Sequence, residues 1–174
     1  MDVMSKLLKT SLIVAAFVPS LALAQAVGGD KELSLSGTGS SDKDFDNTIF
    51  SLDVAFGHYL SDTSEVGIRQ NISVNDREGE DTSFNGATRL FFDQHFGAGD
   101  LRPFVGVSIG GIYGEDVDDT FSGGPEIGLK YYVLEKTFVQ GMVEYQFLFE
   151  SASEVDERFD DGALFYSVGM GYNF

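Results

Sequence analysis

The sequence predicts an all-β protein, an eight-stranded antiparallel up-and-down β-barrel that crosses a membrane with its strands and follows an N-terminal signal peptide. Three observations carry this reading. The chain opens on an export signal, the segments after it keep an apolar residue at every second position, and the final segment continues that alternation to the last residue, Phe174. A terminal aromatic that belongs to a strand pattern is unusual, because chain ends are seldom structural.

The export signal consists of Lys6 and Lys9, an apolar run from Leu12 to Val18 and, after Pro19, the sequence Leu21-Ala22-Leu23-Ala24 ahead of Gln25. A basic start, a short apolar stretch and a small-x-small site are the parts of a secretory signal. The run is too short for a transmembrane helix, which needs about 20 apolar residues. Residues 1–24 are therefore expected to be removed, leaving residues 25–174 as one domain. No later apolar run reaches helix-spanning length, so any crossing of a bilayer falls to strands. The chain has no Cys and no Trp but 21 Gly, 16 Phe and 7 Tyr. An exported domain without disulfides draws its stability from closure of the sheet, and this composition suits aromatics on the outer wall with glycine relieving crowding inside.

Turn signals place the strands near 32–40, 46–60, 65–75, 82–96, 101–115, 120–133, 137–150 and 161–174. The connections at 61–64, 97–100 and 134–136 are tight, whereas those near 41–45, 76–81, 116–119 and 151–160 are acidic and generally longer. Short turns at one end and longer connections at the other are the asymmetry of a membrane barrel. Parity within the strands is the stronger argument. In the second strand Phe50, Leu52, Val54, Phe56 and Leu60 oppose Ser51, Asp53, Ala55, Gly57 and Tyr59, and in the fifth Leu101, Pro103, Val105, Val107 and Ile109 oppose Arg102, Phe104, Gly106, Ser108 and Gly110. The third, sixth and seventh strands split in the same way, and the last sends Leu164, Tyr166, Val168, Met170, Tyr172 and Phe174 outward. His58, Gln70, Thr88 and Gln94 are polar exceptions on the outward set, and the first strand has only Leu33 and Leu35 to set its register. A soluble barrel of the lipocalin type would place apolar residues inside and Lys and Glu outside. Here the charged face carries Gly and Ser instead.

That inward face assigns Arg69, Arg89, Arg102 and Lys130 against Asp53, Asp93, Glu126 and Glu144, a balanced set. An eight-stranded lumen is only wide enough to be filled by side chains, and unpaired charge there would be heavily penalised. Folding the strands about their turns leads us to expect Asp53, Arg69, Arg89 and Asp93 in one cluster, Arg102 near Asp93 and His95, and Lys130 near Glu126 and Glu144. A filled, bridged lumen argues against a wide pore.

Removing residues 1–24 takes away one acidic and two basic residues, which carries the net charge from −17 to −18. The four outer connections with their edges hold −2, −3, −4 and −5, so −14 of this charge is expected at one rim. Such runs are usually a solvated surface, although clusters such as Glu115-Asp116-Val117-Asp118-Asp119 also offer hard oxygen ligands for Ca²⁺ or Mg²⁺. No EF-hand pattern is present, and no dedicated metal site or cofactor is expected. The sign of the charge disfavours nucleic acid as a partner.

Catalysis finds little support. A hydrolytic triad needs Ser, His and a carboxylate within hydrogen-bond reach. The two histidines, His58 on the outward set and His95 beside the Gly97 turn, lack a His-x-Ser spacing, and a Glu126–Glu144 acid pair is more simply an ion-paired set around Lys130. The glycines form no phosphate-loop pattern.

With these features in place, the chain resembles the small OmpA/OmpX-type outer-membrane β-barrel superfamily over nearly its full length. Leu101-Arg102-Pro103-Phe104-Val105-Gly106-Val107-Ser108-Ile109-Gly110-Gly111 looks like its fifth strand and Gly128-Leu129-Lys130-Tyr131-Tyr132-Val133 like its sixth. Tyr166, Val168, Met170, Tyr172 and Phe174 resemble the C-terminal signature that the barrel-assembly machinery reads, and Phe174 is expected to matter for assembly while making few contacts itself. The resemblance implies a monomer in the Gram-negative outer membrane, among lipids and lipopolysaccharide whose phosphates share divalent cations. It implies a non-enzymatic part in envelope integrity or surface interaction, with a small channel, and more remotely a lipid A-modifying enzyme, as the alternatives. Fold alone does not choose among them.

Overall fold

The computed structural model describes residues 26–41, 47–77, 81–115, 120–149 and 162–174. It is built from β1 (Lys31–Ser41), β2 (Asn47–Tyr59), β3 (Ser64–Arg77), β4 (Ser83–His95), β5 (Leu101–Gly114), β6 (Thr120–Tyr132), β7 (Thr137–Phe149) and β8 (Gly162–Asn173). The largest departure from the boundaries read in the sequence is two residues, at the end of β3. The signal segment and most of the acidic connections lie outside the described residues.

Each strand pairs antiparallel with its sequence neighbour, and β8 returns to β1 from Glu32↔Asn173 to Gly37↔Val168, so the sheet closes into a barrel with no free edge. Phe174 completes the seam. It exchanges both backbone hydrogen bonds with Lys31, at 2.9 and 2.8 Å, and its ring lies 6.4 Å from those of Phe56 and Tyr172. The expectation that this residue makes few contacts is thereby corrected: closure gives the last residue a partner on β1 that its own hairpin with β7 does not supply. The tight turns continue the ladders directly, as in Leu60 N–H to Ser64 O at 2.8 Å and Val133 N–H to Thr137 O at 2.9 Å.

Leu33 and Leu35 face outward with Ile68, Ile109, Ile127 and Val168, the last of these 72 % exposed. A continuous apolar wall of this extent is solvated by lipid rather than water. Two of its polar exceptions, Gln70 and Thr88, satisfy one another with the help of Tyr113. Gln70 donates to the Tyr113 hydroxyl at 2.8 Å, Thr88 donates to Gln70 Oε1 at 2.6 Å, and the Tyr113 hydroxyl, 3.0 Å from Thr88, supplies the remaining proton of a closed ring. Gln94 sits at the tight-turn end, accepting from Ser64 at 2.8 Å and donating to Thr63 O at 3.1 Å. His58 faces outward and is exposed.

Inside, aromatic rings lie over glycines of the neighbouring strand. Phe91 covers Gly67, Phe104 covers Gly128 and Phe138 covers Gly171, each on a directly paired rung. A Cβ at any of these glycines would come within 2.4 Å of a ring carbon, so the missing side chain is what makes room for the ring.

Candidate functional site

The lumen is the candidate site, and its register explains its chemistry. Pairing sets Arg69 directly opposite Arg89 on β3 and β4, and Glu126 directly opposite Glu144 on β6 and β7. Glu65 likewise faces Asp93, and Arg102 faces Lys130. Like charges on one rung repel. They are compatible with the fold only because the barrel closes and turns rungs of opposite sign toward each other.

In the middle of the lumen Arg69 reaches across to Glu126, with Nη1–Oε2 at 3.0 Å and Nη2–Oε1 at 3.2 Å, a bidentate pair. Its Nη1 also stands 3.8 Å from Glu144. Arg89 stands 3.4 Å from Asp53 and 3.5 Å from Glu144, and Ser108 donates to Glu144 as well. The Arg69 guanidinium lies over the Phe91 ring, 4.9 Å from its centre.

Nearer the tight turns, Lys130 Nζ donates to both oxygens of Glu32 at 2.7 Å, to Glu65 at 2.9 Å and to the Tyr59 hydroxyl at 3.1 Å. The rings of Tyr59, Phe104 and Phe138 surround the same ammonium with centres 4.9 to 5.7 Å away. An ammonium held by two carboxylates and three ring faces is desolvated and compensated together. His95 lies between the tilted rings of Tyr59 and Phe104, 5.4 and 5.3 Å from their centres, with Nε2 3.6 Å from Glu65. Arg102 donates to the carbonyls of Ala26 and Asp62.

All eight charged residues read from the sequence as inward are on the lumen side, but several pairings differ. Lys130 binds Glu32 and Glu65, not Glu126 and Glu144. Arg69 binds Glu126 and Glu144 across the barrel, while Arg89 keeps Asp53. Arg102 makes no ion pair among the described residues. Asp93 meets Glu126, and its Oδ1 rests against Gly106. Hairpin adjacency places each charge beside its neighbours in sequence, whereas the decisive contacts cross the lumen between strands distant in the chain. Nor is the inward set balanced: Glu32 and Glu65 are buried inside, giving six carboxylates to four cations among the described residues. Parity could have found both, since Glu32 alternates with the outward Leu33 and Leu35, and Glu65 shares the face of Gly67 and Arg69.

The two histidines lie in different surroundings. His58 faces outward, and His95 is enclosed by aromatic rings. Among the described residues no group of three or more His, Cys, Asp or Glu side chains could hold a metal ion.

No family model and no curated protein matches the chain. Among solved structures, the N-terminal β-barrel domain of Pseudomonas aeruginosa OprF is similar at a TM-score of 0.61 and 19% identity, covering 86% of this chain and 100% of that one. The outer membrane protein OprG from Pseudomonas aeruginosa is similar at a TM-score of 0.54 and 12% identity, over 88% and 99% of the two chains. A de novo designed transmembrane β-barrel is similar at 0.50 and 14% identity, over 86% and 99%. The chain thus has the fold of the small eight-stranded outer-membrane β-barrels.

Proposed function

We propose that the protein is a non-enzymatic, monomeric component of the Gram-negative outer membrane whose role is structural, supporting envelope integrity rather than passing solutes. The observation that carries this is the filling of the lumen. Arg102, Tyr59, Phe104, Lys130, Phe138 and His95 are each less than 2 % exposed, and the ion pairs above them tie β3 and β4 to β6 and β7. The outward wall suits lipid, and the C-terminal alternation ending on Phe174 suits capture by the barrel-assembly machinery. The acidic outer connections, most of them outside the described residues, suit divalent cations shared with lipopolysaccharide phosphates.

Planar-bilayer recording combined with a deletion strain tests the reading. Reconstituted protein is expected to give no stepwise conductance, and the deletion strain to become more sensitive to detergents and large antibiotics. Discrete conductance steps would replace this reading with a small channel, and a changed lipid A mass on expression would replace it with an enzyme.

A further inference from the structure

The chain itself crosses the tight-turn mouth of the barrel. Ala26, five residues ahead of β1, is 1 % exposed, and its carbonyl accepts a hydrogen bond from Arg102 Nη1 at 3.4 Å. Arg102 is the second residue of β5. In a ring of eight strands β1 and β5 stand opposite each other, so this bond spans the opening. The other guanidinium nitrogen, Nη2, donates to the carbonyl of Asp62, in the turn between β2 and β3.

The segment is fastened on its other side as well. Gly28 N–H donates to Asp62 Oδ1 at 2.9 Å and Gly29 N–H to Tyr59 O at 2.8 Å. Val27 N–H to Asp30 Oδ2 at 3.2 Å and Asp30 N–H to Val27 O at 3.0 Å close a tight turn. Gly29 takes the left-handed conformation this turn needs, with φ of 99°.

Arg102 is the unusual member. It is 1 % exposed, yet among the described residues no carboxylate pairs with it. A buried guanidinium is ordinarily tolerated only when paired. Here backbone carbonyls take that place, and the rigid fork of the arginine head is suited to holding two at once.

We propose that Ala26–Asp30 is a strap that stoppers the periplasmic mouth of the lumen, with Arg102 as its clasp. In place, it shuts off from the periplasm the enclosed cluster of Lys130, Glu32, Glu65 and His95. Released, it opens that cluster from below. With the expected cleavage after Ala24, Ala26 becomes the second residue of the mature chain, so the strap is the mature N-terminus.

Thiol labelling tests this cleanly because the chain has no Cys. Single-cysteine proteins A26C and V27C, folded in detergent, are treated with a small maleimide; Val27 is 51 % exposed. A26C is expected to label at least about tenfold more slowly than V27C, and Arg102→Gln to speed A26C on the order of tenfold while leaving V27C unchanged, the size expected for loss of charged hydrogen bonds. Amide exchange at Gly29 in the cysteine-free protein, expected to quicken with Arg102→Gln, reads the same release without a cysteine. Should Arg102→Gln fail to give a folded band, Asp62→Ala takes its place, removing the acceptor of Gly28 from an exposed position, with a smaller rise expected in both readouts. Equal labelling of A26C and V27C overturns the proposal, as does a clasp variant that leaves both the A26C rate and Gly29 exchange unchanged. These rates do not depend on whether the barrel conducts or supports the envelope.

Discussion

Arg69 and Arg89 share a rung, and so do Glu126 and Glu144, which makes each side chain costly on its own hairpin and stabilising only across the lumen. Removing one member of a buried set leaves the others uncompensated, at about 3–5 kcal/mol. Arg69→Ala is therefore expected to lower the urea midpoint of the barrel in lipid strongly, and Arg89→Ala comparably. Lys136→Ala, at an exposed turn position, is expected to stay within about 0.5 kcal/mol of the parent. Equal midpoints for Arg69→Ala and Lys136→Ala would show that the cross-lumen pairs do not hold the fold. Outside, the ring formed by Gln70, Thr88 and Tyr113 shows the same logic in lipid: polar groups are tolerated where their hydrogen bonds close on one another.

At the scale of elements, the β6–β7 ladder is interrupted between Gly123↔Phe147 and Glu126↔Glu144. Pro125, which has no N–H to donate, lies in the gap. A Cβ at its neighbour Gly124 would fall on the Tyr145 carbonyl oxygen, whereas a Cβ at Gly141 on β7 would meet nothing within 4 Å. Gly124→Ala is expected to destabilise by about 1–3 kcal/mol, as overpacking does. Gly141→Ala is expected to be neutral or to stabilise by up to about 1 kcal/mol, because alanine restricts the unfolded chain. Unfolding of the two variants side by side checks the pair, and a neutral Gly124→Ala would mean that β6 and β7 do not approach as closely as described.

For the whole molecule, closure is the condition on which everything else rests. The seam between β1 and β8 removes the last free edge, and opening it in apolar surroundings would strand unpaired backbone groups. The folded protein is accordingly expected to keep its barrel in SDS and to migrate differently before and after boiling, with a β circular dichroism signal in the unboiled sample only. Identical migration of both samples would contradict a closed membrane barrel.

Local pattern determined a large part of this protein. Alternation set which residues face lipid, turn residues set the strand boundaries to within two positions, and the outward leucines of β1 already implied an inward Glu32. These are short-range properties, decided by the two-residue period of a strand and the chemistry of a turn. Only the tertiary structure decided which charges meet. Lys130 pairs with Glu32 and Glu65, 98 and 65 positions away, and Arg102 grips the carbonyl of Ala26, 76 positions away. No hairpin register specifies such partners, because they are brought together by the curvature and closure of the sheet, which sum over all eight strands.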